Sequence, residues 1–272
     1  MSLNKLSAQD ISKQIKTKKL SAVEALDFFI ARIETHNPTL NAVVATRFDE
    51  ARAEAQQADA KQARGEPLQV LHGVPMTIKD AFEVEGVTCD VGAPNFAGKV
   101  STQSSLVVER LRHAGAIIIG KTNTPIFCSD WQSFNAVHGT SNNTYHLEHT
   151  PGGSSGGAAA ALAAGLTPME YGSDIGGSIR VPAHYCGLFG HKPTHGLVPQ
   201  IGHVPPVHGA LAEGDLAVVG PLAKTVDDLE TLFDATLGTH GPMAQAMQIA
   251  LQGPRFETAE GLRAGIHTDE AS

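Results

Sequence analysis

The stretch TPGGSSGGAAAALAAG, Thr150–Gly165, decides the fold. It is a glycine-rich turn that runs straight into a strong helix former. A flexible linker would continue as Gly/Ser polymer. Here the glycines end in Ala158–Ala161, Leu162, Ala163 and Ala164. Small residues in that order mark a backbone approached closely by a ligand at the helix start or by another backbone. A close-packed buried helix satisfies the same composition, so the stretch alone does not choose.

A second block follows at Gly172–Gly187, GSDIGGSIRVPAHYCG. Ile175-Gly176-Gly177 sets consecutive, little-hindered N–H groups ahead of Ser178. An oxyanion hole needs such donors, converging on one point about 3 Å away. Gly-Gly-Ser also occurs in plain turns. A serine hydroxyl further needs a base to become a nucleophile. No histidine stands beside either serine, but Lys79 closes the apolar run Gly73–Ile78. Burial there disfavours an ammonium and leaves a neutral amine able to take a proton. The plainer alternative is a lysine snorkelling from a strand end.

Working outward, Ser7 with Asp10 and Ser21 with Glu24 predict two helix starts. Apolar residues recur at helical spacing from Val23 to Ile33, and Asn37-Pro38 predicts the stop. Asp49–Arg64 reads as an exposed helix ended by Gly65. Gly73–Ile78 is a buried strand tipped by Lys79-Asp80, and Ser104–His113 an amphipathic helix. Ala116–Ile119 is a second strand, again followed by a lysine, Lys121. Strand, helix, strand predicts a parallel pair with a helical crossover. Thr225 with Asp228 opens a helix to about Leu237, and 262–266 reads as one more strand.

Composition narrows the class. The 272 residues carry a formal net charge of −8, which offers nucleic acid no electrostatic attraction. Hydrophobic content of 42% against 18% charged residues excludes a disordered chain. Cys89, Cys128 and Cys186 are odd in number and far apart, so neither a disulfide framework nor a zinc ribbon is expected. The N-terminus lacks the apolar core of a signal peptide, and Gly156–Gly165 is too short to span a bilayer. A soluble cytoplasmic protein is expected, with no membrane and no direct nucleic-acid partner.

Taken together, the blocks resemble the amidase signature family of serine hydrolases. GVPMTIKD at Gly73–Asp80, GGSSGG at Gly152–Gly157 and DIGGSIR at Asp174–Arg180 stand in the family's order and spacing. GKTNTP at Gly120–Pro125 and CGLFGHKPTHG from Cys186 are similar as well. The resemblance implies an α/β fold with a mixed, largely parallel central sheet covered by helices on both faces. It implies a single domain over 1–272, with a helical segment at 1–66 and a catalytic core at 67–237. Ser178 resembles the nucleophile, Ser154 the bridging serine and Lys79 the general base. The backbone N–H groups of Ile175, Gly176, Gly177 and Ser178 are the implied oxyanion hole. Gly153, Ser155, Asp174 and Arg180 are implied supports, with a cis Gly153–Ser154 peptide and an Asp174–Arg180 pair that holds the loop. The implied reaction is hydrolysis of a small carboxylic amide through an acyl-enzyme on Ser178, with no cofactor and no metal.

Departures from the family pattern are Ile126 for a common acidic residue, Tyr185 for Phe, and His191 and His195 in the KPT region. Family members are considerably longer, so the chain resembles a C-terminally truncated member with a complete triad and an incomplete acyl pocket. Exposed apolar surface and association follow from that expectation. A homo-oligomer or a partner subunit stays open. So does the choice between a free amidase, the amidase subunit of a tRNA-dependent amidotransferase, and a catalytically poor fragment.

Three other motifs compete. Gly152–Gly156 matches the GxSxG elbow of α/β-hydrolases, but Tyr145–Pro151 before it is not an apolar strand. His146 with His149, or His191 with His195, has metal-like spacing without a coordinating acid or cysteine set. An SxxK occurs at Ser2–Lys5, in a terminal segment.

Overall fold

The computed structural model describes residues 2–203 and 214–253, together with Thr258, Glu260, Gly261 and Arg263. Ser7 caps α1 (Ala8–Lys16) by accepting from the Asp10 N–H. Ser21 and Glu24 form a full capping box on α2 (Ala22–Leu40). The helix does not stop at Asn37-Pro38 but runs through it. Pro38 lies in the last turn, so the intrahelical bond forfeited by its missing N–H falls near the helix end and the helix closes two residues later. The Asn37 side chain then ties down the exit, accepting from Ala42 and Val43 N–H and donating to Val43 O.

β1 (Val43–Thr46) follows, then the expected exposed helix α3 (Phe48–Ala63). The segment 1–66 is therefore not purely helical: Val43, Ala45 and Thr46 pair with a strand much later in the chain, with a register shift at Val44. β2 (Pro75–Lys79), α4 (Leu106–His113) and β3 (Ile117–Thr122) form the predicted crossover, with β2 and β3 parallel. β4 (Phe134–Asn135) and β5 (Gly139–Thr140) make a short hairpin. α5 (Gly156–Ala163) is the alanine helix, followed by β6 (Met169–Asp174), α6 (Arg180–Tyr185) and β7 (Phe189–Gly190). β8 (Val218–Ala223), α7 (Val226–Thr236) and α8 (Gly241–Ala246) complete the described elements. The strand expected over 262–266 lies outside the described residues, Arg263 apart.

The strands run β1–β3–β2 in one sheet and β6–β8–β7 in another, and β2 lies beside β6. The fold is mixed α/β as expected. Parallel pairing, expected through most of the sheet, joins only β2 to β3 among the named strands; β1–β3, β6–β8 and β7–β8 are antiparallel. Parallel neighbours need a crossover, and α4 supplies it at that one place. β2, β3, β6 and β8 are buried along their whole length. α5 is buried from Gly156 to Leu162, which explains its alanines: a larger side chain would push the neighbouring strands away.

Candidate active site

The end of β2, the turn before α5, the end of β6 and the loop into α6 meet at one place. Lys79 is fully buried at the tip of β2. Its Nζ lies 2.6 Å from Ser154 Oγ and 3.0 Å from Ser173 Oγ. Burial pulls the Lys79 pKa below the usual lysine value, while Cys128, Asp174 and Glu170 pull weakly the other way. A lysine held by two hydroxyls in a dry site is readily a neutral amine.

The turn that carries Ser154 is fixed from several sides. The Gly153–Ser154 peptide is cis. Thr124 Oγ1 donates to Ser154 O at 2.9 Å, and Ser155 N–H donates to Ser178 O at 3.1 Å. Ser133 Oγ accepts from Gly156 N–H at 3.0 Å. A Cβ on Gly153 would come within 2.7 Å of Asp130 O, so only glycine fits there. Ser155 Oγ bridges to the β6 backbone at Ser173. The polar run Tyr145–Pro151 forms no strand, so the turn lacks the geometry of a hydrolase elbow.

Ser178 stands on the loop after β6, 8% exposed. Among the described residues its hydroxyl makes no hydrogen bond, and none joins it to Ser154. It faces a cavity of about 520 Å³, walled also by Cys128, Trp131, Ile175 and Gly176. The loop is held by Asp174. Its carboxylate accepts from the N–H groups of Gly177 (2.8 Å), Ile179 (2.9 Å) and Arg180 (3.3 Å). It also pairs with the Arg180 guanidinium at 2.9 Å. Burial works against the Asp174 carboxylate, but Arg180 and these N–H groups outweigh it and hold its pKa below the usual range.

One expectation needs correcting. Gly177 was expected to donate to an oxyanion, yet its N–H is spent on Asp174. Gly177 sits at φ +118°, a conformation glycine reaches freely, and that turns its N–H back under the loop. Ile175, Gly176 and Ser178 keep N–H groups not used in this way.

Sequence reading missed Ser173, Thr124, Ser133 and Cys128. Ser173 was hidden because MEYGSD has neither alternation nor an apolar run, so β6 went unseen. The histidine pairs are placed otherwise. The His146 and His149 rings stack on each other, His191 packs edge-on against Phe233, and His195 Nε2 bonds Gly214 O.

Among the described residues no helix is long and apolar enough to cross a membrane. The model of the family described as Amidase matches residues 24–271. A glutamyl-tRNA(Gln) amidotransferase chain of Anaeromyxobacter dehalogenans (strain 2CP-C) is 38% identical over 268 residues, covering 97% of this chain and 53% of that one. Fatty-acid amide hydrolase 2 of Homo sapiens is 37% identical over 240 residues, covering 86% and 45%. A solved bacterial aryl acylamidase of the amidase signature family superposes with a TM-score of 0.82 at 31% identity, covering 90% of this chain and 50% of that one. The chain thus spans about half the length of the relatives it matches.

Proposed function

The chain belongs to the amidase family, and from that premise we propose that it hydrolyses carbon–nitrogen bonds of small carboxylic amides through an acyl-enzyme on Ser178. The observation that carries this reading is the 2.6 Å contact between buried Lys79 and Ser154 beside a cavity that Ser178 faces. Neutral Lys79 takes the proton of Ser154, and Ser154 takes that of Ser178. The Ser178 oxygen attacks the amide carbonyl, and the N–H groups of Ile175, Gly176 and Ser178 stabilise the oxyanion. The proton returns through Ser154 to the leaving nitrogen, and water opens the ester on the same base. Asp174 and Arg180 hold the loop and take no part in the chemistry. No metal or cofactor enters this scheme.

A fluorophosphonate tests it directly. Ser178→Ala should abolish covalent labelling of the chain; undiminished labelling would move the nucleophile elsewhere, Ser154 first. The 38% identity to a chain of an amidotransferase supports a second reading, in which partner chains complete the activity. Glutamine hydrolysis that appears only with such partners would favour it. The 1–66 segment and the 67–237 core are read as parts of one domain. The three unpaired cysteines support a reducing, cytoplasmic setting.

A further inference from the structure

The cavity that Ser178 faces is lined by two segments: residues 128–131, and the loop with Ile175, Gly176 and Ser178. Among the described residues of that lining, Asp130 alone carries a formal charge. Two other cavities differ. One sets Lys61 and Arg112 against Glu54, and the other joins Glu148 to His149 and His184. Among the described residues the Asp130 carboxylate has no ion-pair partner. It accepts one hydrogen bond, from the Gln132 N–H at 3.0 Å. Arg180, two positions past Ser178, is paired with Asp174.

Trp131 supplies the independent observation. It is 59% exposed and lines the same cavity. A Cβ placed on Gly177 would meet the indole Nε1 at 3.8 Å and Cζ2 at 4.0 Å, so the ring rests over the glycine just before Ser178. A Cβ placed on Gly153 would come within 2.7 Å of Asp130 O and Trp131 C. The backbone of the pair therefore passes over the glycine just before Ser154. Asp130 and Trp131 are thus seated on the two turns that carry the serines of the site. An indole ring and a carboxylate together suit an alkylammonium group, each contact being typically worth about two- to fivefold at a wet site. An anionic ligand meets Asp130 and no cationic side chain of the lining.

We propose that Asp130 and Trp131 form a cation-recognising wall beside Ser178, and that the substrates of this site are carboxylic amides carrying an ammonium group a few bonds from the carbonyl. The substrate half of this statement rests on the amidase reading above; the recognition half does not. The ammonium group sits against the Asp130 carboxylate and the indole, and the carbonyl lies toward Ser178. A cavity of about 520 Å³ has room for both ends of such a molecule. Trp131 is the only tryptophan of the chain, so its fluorescence reports occupancy of this cavity without any turnover.

The test uses three amides of matched size: 4-aminobutyramide, pentanamide and succinamate. They are cationic, neutral and anionic at about pH 7.5. Each is titrated into Ser178→Ala, which removes the proposed nucleophile, while Trp131 fluorescence is followed. 4-Aminobutyramide should half-saturate the signal at least about fivefold below pentanamide, with succinamate weakest. Adding Asp130→Asn should bring the first two within about twofold. Adding Glu50→Gln, an exposed acid of α3 outside the lining, should leave the gap as it was. With Ser178 in place, kcat/KM should follow the same order. Equal half-saturation by the three amides, or a gap that survives Asp130→Asn, overturns the proposal. So does a gap that Glu50→Gln closes equally well, because the overall negative charge of the chain would then account for it. Turnover with no preference for the ammonium amide keeps the amidase reading and overturns this one. Failure of the amidase reading looks different: none of the three amides is hydrolysed while the fluorescence order holds. The cation-recognising wall is then upheld and the substrate claim overturned.

Discussion

Lys79 and Lys121 occupy matching places on neighbouring strands, yet they face different partners. Each follows an apolar run, each is fully buried, and Ile78 of β2 stands in register with Lys121 of β3. Lys121 Nζ lies 2.8 Å from Asp80 Oδ1. Asp80 also accepts from the N–H groups of Asp90 and Val91, which with Lys121 favours the carboxylate, while burial pushes its pKa up. Burial opposes charge on Lys121, but Asp80 outweighs it and raises the lysine's pKa. Asp90 and His138, 2.9 Å apart, lie beside this pair. Among the described residues Lys79 Nζ hydrogen-bonds two hydroxyls, those of Ser154 and Ser173, and burial lowers its pKa. Strand-end position alone therefore does not set the charge of a buried lysine. A carboxylate fixes the proton on Lys121; two hydroxyls leave the proton of Lys79 free to move.

The comparison breaks most visibly at the two lysines themselves. Lys79→Met should slow fluorophosphonate acylation by about 10²–10⁴-fold, the usual worth of a general base. Its urea midpoint should stay near wild type, because no charge partner is left behind. A Lys79→Met chain that unfolds would mean that Lys79 is a structural ion like Lys121. Asp80→Asn should do the reverse. It leaves Lys121 buried and unpaired, at a cost of about 3–5 kcal/mol in unfolding free energy. The double variant Asp80→Asn with Lys121→Met should recover much of that loss. A single Asp80→Asn variant as stable as wild type would sink the ion-pair half of the comparison.

The sequence already carried both lysines, both serines of the site and the crossover between β2 and β3, because each sits in a strong local signal. Apolar runs mark β2 and β3, serine caps mark α1 and α2, a threonine cap marks α7, and glycine blocks mark the turns. What told the two lysines apart was not legible. Asp80 is adjacent to Lys79 in the chain but bonds Lys121, 41 positions away, a pairing that local order does not reveal. Ser173 belongs to β6, whose Glu170, Gly172 and Asp174 obscure a strand that is buried from end to end. β8 hides similarly behind Gly220-Pro221. His191 N–H donates to Pro221 O, so the carbonyl of that proline still serves the sheet while its missing N–H goes unneeded. Gly177 was misread because a run of glycines advertises free N–H groups without saying where they point.

Glu170 offers a sharper test through pH. It is the buried carboxyl behind Lys79, and burial pushes its pKa up to about 7. Below that value it is neutral and supplies no counter-ion. An acid whose folded pKa is raised keeps its proton in the folded chain where the unfolded chain has lost it. Its contribution is full below about 4.5 and is lost as pH rises through about 7, by roughly 3 kcal/mol in all. Urea midpoints should therefore fall across that window in wild type and fall less in Glu170→Gln. Equal slopes in the two chains would show that Glu170 is not the buried acid.

The smallest expected effect is at Ser173, and it probes how the Lys79 proton is held. Ser173 Oγ is the second hydroxyl on Nζ, at 3.0 Å. A hydroxyl oxygen that accepts from Nζ stabilises the ammonium more than the neutral amine. Removing it in Ser173→Ala should lower the Lys79 pKa further, by less than about one unit for a bond worth roughly 1 kcal/mol. The acid limb of the acylation rate should then move to lower pH. The plateau should drop about fivefold, because one tether on the base is gone. Unfolding stability should change little. A limb that moves to higher pH would mean that Ser173 donates to the neutral amine instead. Lys79 would then owe its neutral state to that hydrogen bond as well as to burial, and the contrast with Lys121 would rest on the direction of a single proton.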